Sequence, residues 1–251
     1  MRNTMQNLFL ATVVTAFAIF LPGTATGAMT TPSSPAYPVE SVAPADGSIV
    51  GVAAPVTVRF AAAVGDRARA EQSVSVTAGA ALPGTFAWNS DREVVWTPSG
   101  GLPAASRVTV QVGTTQTRLE TDGGITADAD LSAHTFTVFV PGEPPRVMPA
   151  SMGRPGRETP TGSFPVLEKF RSIIFDSRTI GIPLDDPDGY LLTGEYAERL
   201  TWSGVFVHSA PWSVDQQGNS NVSHGCINLA PDDAAWYYEN VNVGDVVTSH
   251  W

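Results

Sequence analysis

The chain holds a single cysteine, Cys226, in the run Ser223-His224-Gly225-Cys226-Ile227-Asn228. A thiol attacks as thiolate, so it needs a base within hydrogen-bond reach and a third group that orients the base. Upstream, Gly204-Val205-Phe206-Val207-His208-Ser209 reads as an apolar strand ending in an imidazole, a rigid mount for such a base. Fourteen residues separate His208 from Ser223, enough for a loop to fold the thiol back onto the ring. Gly225 lets the backbone approach a substrate carbonyl closely, so the Gly225 and Cys226 N–H groups are candidates for an oxyanion hole. By spacing alone, one His and one Cys do not define a site. The plain alternative for Cys226 is a small buried apolar residue.

Those residues must be positioned by the rest of a 251-residue chain, long enough for one large or two modest domains. It is 43% apolar and 15% charged, a globular composition. Fourteen Lys and Arg against 24 Asp and Glu leave a net charge of −10, and Lys169 is the one lysine. Such a chain lacks the dense positive charge that nucleic acid requires. The N-terminus reads as an export signal over 1–28. Arg2 precedes an apolar core at 8–21, and Ala25 and Gly27 suit cleavage after Gly27 or Ala28. An uncleaved membrane anchor is the alternative. A lone thiol outside the cytosol is an oxidation liability unless it is buried or used.

Residues 29–37 are rich in Thr, Ser, Pro and Ala and read as a linker. From 38 to 140 the pattern is short alternating strands, at 56–60, 73–77, 85–88, 93–96, 108–112 and 134–140. Asp46-Gly47, Pro83-Gly84 and Asp122-Gly123-Gly124 separate them as turns. This predicts a β-sandwich of immunoglobulin type with Trp88 and Trp96 as packing residues. The Pro-rich run 141–145 reads as the boundary. Beyond it, strands are expected at 147–152, 163–167, 173–175, 204–208 and 246–248, with one helix at 231–239. Pro231 suits that helix's first turn, and Asp232 and Asp233 suit its positive end.

The Cys226 run and its spacing from His208 resemble the signature of the L,D-transpeptidases, the YkuD-type catalytic domain. Arg146-Val-Met-Pro-Ala-Ser-Met-Gly153, Thr159-Pro-Thr-Gly162 and Gly204-Val-Phe-Val-His-Ser-Ala-Pro-Trp212 are similar to the actinobacterial branch, as is the helix with Trp236 and Tyr237. In that branch an immunoglobulin-like domain comes first, which Ala43-Pro-Ala-Asp-Gly47 and Ser90-Asp-Arg-Glu-Val-Val-Trp96 resemble. The resemblance covers about 38–251 and implies a mainly β protein: an immunoglobulin-like sandwich at 38–140, then a β-rich catalytic domain at 141–251 with one C-terminal helix. It implies 3→3 cross-linking of peptidoglycan stem peptides through a Cys226 thioester, with a tetrapeptide donor and an amine acceptor, at the cell wall. It implies no cofactor or metal, and inhibition by carbapenems.

The resemblance makes His208 the base and then the acid, and gives its third partner as the Ser209 carbonyl. It places Tyr190 on a lid, Ser203, Gly204 and Asn228 at substrate, and His224 in the shape of the Cys226 loop. Phe175 stands where that branch usually has Met, which implies a narrower donor pocket. Asp185, Asp186 and Asp188 are the acids of a turn-rich lid at 183–203, with 191–200 as an ordered cover. The catalytic domain also departs from the family at its start. Only six residues separate the strands at 134–140 and 147–152, so the first strand pair is expected to be missing and 147–152 to form an edge, unless the first domain or 134–140 covers it. A sortase reading fails because no Arg follows Cys226. Two alternatives stay open: an L,D-carboxypeptidase using water on the same site, and a non-catalytic wall-binding module.

Overall fold

The computed structural model describes residues 37–251. The leader at 1–28 and all but the last residue of the linker at 29–37 lie outside them. The first nine strands are β1 (Val39–Ala43), β2 (Ile49–Val50), β3 (Val56–Phe60), β4 (Val74–Ala78), β5 (Ala80–Ala81), β6 (Gly84–Trp88), β7 (Glu93–Pro98), β8 (Arg107–Val112) and β9 (Thr115–Thr121), with a short helix α1 (Arg67–Gln72) before β4. They form two sheets, ordered β1-β3-β7-β6 and β2-β9-β8-β4-β5. Alternation along each strand sends Val56, Val58, Phe60, Val94 and Trp96 from one sheet against Val74, Val76, Val108, Val110 and Leu119 from the other. Trp96 is buried in this core, and Trp88 stacks on Phe60 with ring centroids 6.0 Å apart. Helix α1 carries no apolar periodicity to announce it; Asp66 starts it by accepting the Arg69 N–H at 3.1 Å.

The remaining strands are β10 (Thr126–Asp130), β11 (Thr135–Phe139), β12 (Arg146–Ser151), β13 (Gly162–Pro165), β14 (Glu168–Asp176), β15 (Leu191–Arg199), β16 (Phe206–Ser209), β17 (Ile227–Leu229) and β18 (Val246–His250). One helix, α2 (Pro231–Asn240), lies between β17 and β18. Hydrogen bonding links all nine strands in the order β13-β18-β10-β11-β12-β17-β16-β15-β14. Ala127, Ala129, Phe136, Val138, Met148, Val207, Ile227 and Leu229 join Ala234 and Tyr237 of α2 in one core. Phe136 meets Tyr237 edge-on at 4.9 Å.

This topology corrects the domain boundary. The 134–140 strand is not the last of the sandwich: with β10 it forms the opening hairpin of the second sheet, so the strand pair expected to be missing is present. β12 is no edge, because β11 pairs with one side of it and β17 with the other. The first domain closes at Thr121, and the break is Asp122-Gly123-Gly124, where Gly124 takes φ +86° and donates its N–H to the Asp122 carboxylate at 2.8 Å. The Pro-rich run at 141–145 is only the loop between β11 and β12. Proline density marks where a ladder cannot run, not whether the chain leaves the domain there. The two domains touch closely at the break: Gly51 N–H donates to the Val243 carbonyl and Ala53 N–H to that of Gly244, each at 2.8 Å.

Candidate active site

Strands β16 and β17 run parallel, with Val207 opposite Ile227 and His208 opposite Asn228. Side chains alternate along each strand. Val207, Ile227 and Leu229 therefore point into the core, while Phe206, His208, Cys226 and Asn228 face together into a cavity of about 570 Å³. The imidazole is thus mounted on β16, and the thiol, one residue before β17, is brought to the same cavity.

His208 is buried between aromatic rings, with Phe175 at 4.8 Å and Trp212 at 5.9 Å between centroids. Its Nδ1 lies 2.8 Å from the Ser209 carbonyl. A carbonyl only accepts, so Nδ1 carries the proton and Nε2 is left as a lone-pair base. Burial pushes the His208 pKa down to about 4, although the bond to Ser209 pulls the other way. Burial pushes the Cys226 thiol up to about 11, partly offset by the Phe206 backbone N–H. The resting pair is a neutral imidazole beside a neutral thiol. The thiol's hydrogen bond goes to the Gly204 carbonyl, 3.6 Å from Sγ, rather than to the imidazole.

The Cys226 loop is held by side-chain hydrogen bonds. Thr159 Oγ1 donates to the Gly225 carbonyl at 2.8 Å, and Ser223 Oγ donates to that of Cys226 at 2.6 Å. Gly225 takes φ +118°, a backbone conformation that a side chain at this position resists. Its N–H donates to Ser223 Oγ at 3.0 Å. The pair of free amides expected for the oxyanion hole is therefore corrected: Gly225 is committed to shaping the loop.

The cavity wall collects the other expected residues. Phe175, Tyr190, Ser203, Gly204, His224 and Asn228 all line it. Phe175 also packs edge-on against Phe206 at 5.1 Å. Its ring lies so close to Gly194 that a Cβ there would sit 2.2 Å from it. Ser203 shares a hydrogen bond with Thr201 at 2.9 Å, and Gly204 turns the chain at φ +101°. Asn228 Nδ2 donates to Ser213 Oγ at 3.1 Å. The Tyr190 ring lies 5.3 Å from that of His224. Burial raises the Tyr190 pKa first, and the nearby Cys226 adds to it. Ser209 acts from outside the cavity, through its carbonyl.

The lid expectation is corrected in extent. Residues 191–199 are not a cover: they form β15, a strand within the sheet between β14 and β16. The tip between β14 and β15 contributes Thr179, Ile180 and Tyr190 to the cavity lining and is pinned by Ser177. Ser177 receives the Tyr190 N–H on its Oγ at 3.0 Å and donates its own N–H to the Tyr190 carbonyl at 2.9 Å. Ser177, Trp212, Ser213 and Thr159 were not singled out from sequence. Trp212 and Thr159 stood in quoted motifs without a role, and Ser177 and Ser213 carry no signal before their partners are known.

A thiol, a base oriented by a carbonyl and a largely apolar cavity thus stand together, the arrangement that nucleophilic catalysis by a thiol requires. Residues 124–248 match the L,D-transpeptidase catalytic domain (YkuD), and 20–118 match a bacterial Ig domain. L,D-transpeptidase 1 of Mycobacterium tuberculosis is 48% identical over 250 residues, covering 98% of each chain. Probable L,D-transpeptidase 3 of the same organism is 44% identical over 232 residues, covering 84% of this chain and 86% of that one. The solved structure of LdtMt1 in complex with imipenem shares 51% identity and a TM-score of 0.78, covering 86% of this chain and all of that one. An L,D-transpeptidase from Mycobacterium smegmatis gives 52% and 0.77, over 85% of this chain and 99% of that one. The chain belongs to the L,D-transpeptidase family. The two matched segments meet between 118 and 124, where the strand topology puts the boundary.

Proposed function

We propose that this enzyme joins peptidoglycan stem peptides by 3→3 cross-links through an acyl-thioester on Cys226. His208 Nε2 takes the thiol proton as Sγ attacks the carbonyl of the third residue of a donor tetrapeptide. The carbon–nitrogen bond to D-Ala breaks, and His208 returns the proton to the leaving amine. The side-chain amine of a second stem then attacks the thioester carbonyl. Its proton passes through His208 to the thiolate, and the thiol is restored. The observation that carries this reading is the placement of His208, on β16, and Cys226, one residue before the parallel strand β17, in the lining of one cavity, with the Ser209 carbonyl fixing the base.

The neutral resting pair fits a site whose thiolate forms only as substrate arrives. Proton transfer to His208 as substrate fills the cavity avoids holding a free thiolate against burial. The leader read at 1–28 puts the enzyme outside the cytosol, at the wall where its substrate is. The imipenem complex of a relative supports acylation of Cys226 by carbapenems here as well. Intact-mass measurement after incubation with a carbapenem tests the site. One covalent adduct on the wild type and none on Cys226→Ala is the expected result. An adduct that survives Cys226→Ala overturns it.

A further inference from the structure

The tip between β14 and β15 lines the cavity through Thr179, Ile180 and Tyr190 and is tied to the segment that holds the Cys226 loop by one charged pair. The Arg154 guanidinium hydrogen-bonds and ion-pairs with the Asp188 carboxylate. Both ends of this tie are anchored. On one side, the Arg154 N–H donates to the Ser223 carbonyl at 3.0 Å, and Gly153 bridges to Ser223. Arg154 is thereby mounted on the loop that carries Cys226. On the other side, Asp186 fixes the turn by accepting the Asp188 N–H on its side chain at 2.9 Å and the Gly189 N–H on its carbonyl at 2.8 Å. Tyr190 follows two residues later and lines the cavity. His224 stands beside the pair, its Nε2 3.4 Å from Arg154 Nη2 and 3.9 Å from Asp188 Oδ1.

We infer that Arg154 and Asp188 are positioning residues that latch the Tyr190 tip over Cys226, so that the acyl-thioester persists long enough to meet an amine instead of water. The inference rests on the thioester reading above. The latch spans 34 residues of sequence, so breaking it at Asp188 frees the Tyr190 tip without altering β16 or the Cys226 loop. Each side chain is about one-third exposed, 35% and 36%. The closed state is therefore favoured only modestly, roughly fivefold over the open one. That is enough to change partitioning, and weak enough to release for substrate entry. Asp188 also feels the positive charge of Arg157. Removing Arg154 therefore leaves Asp188 a second cation, and Asp188→Asn is the cleaner break.

The experiment supplies a tetrapeptide donor and a fixed concentration of amine acceptor, and reads the ratio of amine-transfer to hydrolysis product. It compares wild type, Arg154→Gln, Asp188→Asn, the double variant and Asp188→Glu. The expected result is a roughly two- to fivefold lower ratio for Asp188→Asn, no further fall in the double variant, and partial recovery in Asp188→Glu, which keeps the charge. Unchanged ratios in variants of a wild type that transfers normally overturn the latch alone. Independent, additive losses in the two single variants also overturn it. A wild type that forms no thioester with the donor overturns the functional reading, and the latch with it.

Discussion

Asp245 sits in the contact between the two domains, 1% exposed, and Asp245→Asn should stabilise the protein at neutral pH. One carboxylate oxygen accepts the Asn242 N–H at 2.7 Å, and the other is buried with no hydrogen-bond partner among the described residues. Asn242 Nδ2 donates to Asp122 at 2.8 Å, which brings a second carboxylate to the same place. Burial, chiefly, and then Asp122 push the Asp245 pKa from 3.8 to about 8, against the Asn242 N–H and Lys169. The native state thus holds a proton that the unfolded chain has released, so stability falls as pH rises from about 4 to about 8. At pH 7 the difference spans about three pH units, or at most about 4 kcal/mol. Relaxation and water entry around the carboxylate reduce this, so a gain of about 2 to 4 kcal/mol is expected from the neutral amide. That corresponds to a rise in Tm of roughly 5 to 15 °C. The assay is chemical denaturation of both proteins at pH 4.5, 6, 7 and 8. The stability difference between variant and wild type should be small at pH 4.5 and widen with each step. A difference that stays flat across that range refutes the reasoning.

Three other outcomes follow from the site. With the thiol pushed up to about 11 and His208 down to about 4, Cys226 alkylation by iodoacetamide should rise about tenfold per pH unit between pH 7 and 9; a plateau below pH 8 contradicts the neutral resting pair. Gly194→Ala places a Cβ 2.2 Å from the Phe175 ring that packs on His208. This should lower kcat/KM by roughly tenfold or more through overpacking at a cost of about 1 to 3 kcal/mol, and wild-type kinetics would show that the Phe175 wall is dispensable. Gly225→Ala forces a side chain into φ +118°, a strain of about 1 to 3 kcal/mol next to the nucleophile. Carbapenem adduct formation should slow at least tenfold while the far-ultraviolet circular dichroism is unchanged; full-rate acylation would mean the loop tolerates reshaping.

The site was more legible in the sequence than the frame around it. His208 and Cys226 stand in short motifs whose residue types serve chemistry, and strand alternation puts 206 and 208 on one face of β16, beside 226 and 228 in the same cavity. The domain boundary was misread because β10 and β11 alternate just as a sandwich strand does. Only their long-range partners, β12 and the C-terminal β18, show which sheet they join. Residues 191–199 resisted reading for a related cause. Beside a run of turn residues, Leu191, Leu192 and Tyr196 suggest a cover, and their placement in the sheet depends on pairing with β14 and β16. Polar pairs such as Arg154–Asp188 and Ser177–Tyr190 join segments 34 and 13 residues apart, and no local pattern encodes them. Gly225 was read for close backbone approach and a free amide; its positive φ was not legible, and Ser223 Oγ takes the amide.

The central claim is that Cys226 passes a stem peptide from one amine to another. Incubating purified enzyme with a tetrapeptide donor and an amine-bearing stem, and sequencing the products by tandem mass spectrometry, tests it most directly. The account predicts a dimer that has lost one D-Ala and is linked from the third residue of one stem to the third of the other, absent with Cys226→Ala. Tripeptide alone in the presence of abundant acceptor, or the same dimer from Cys226→Ala, would contradict it.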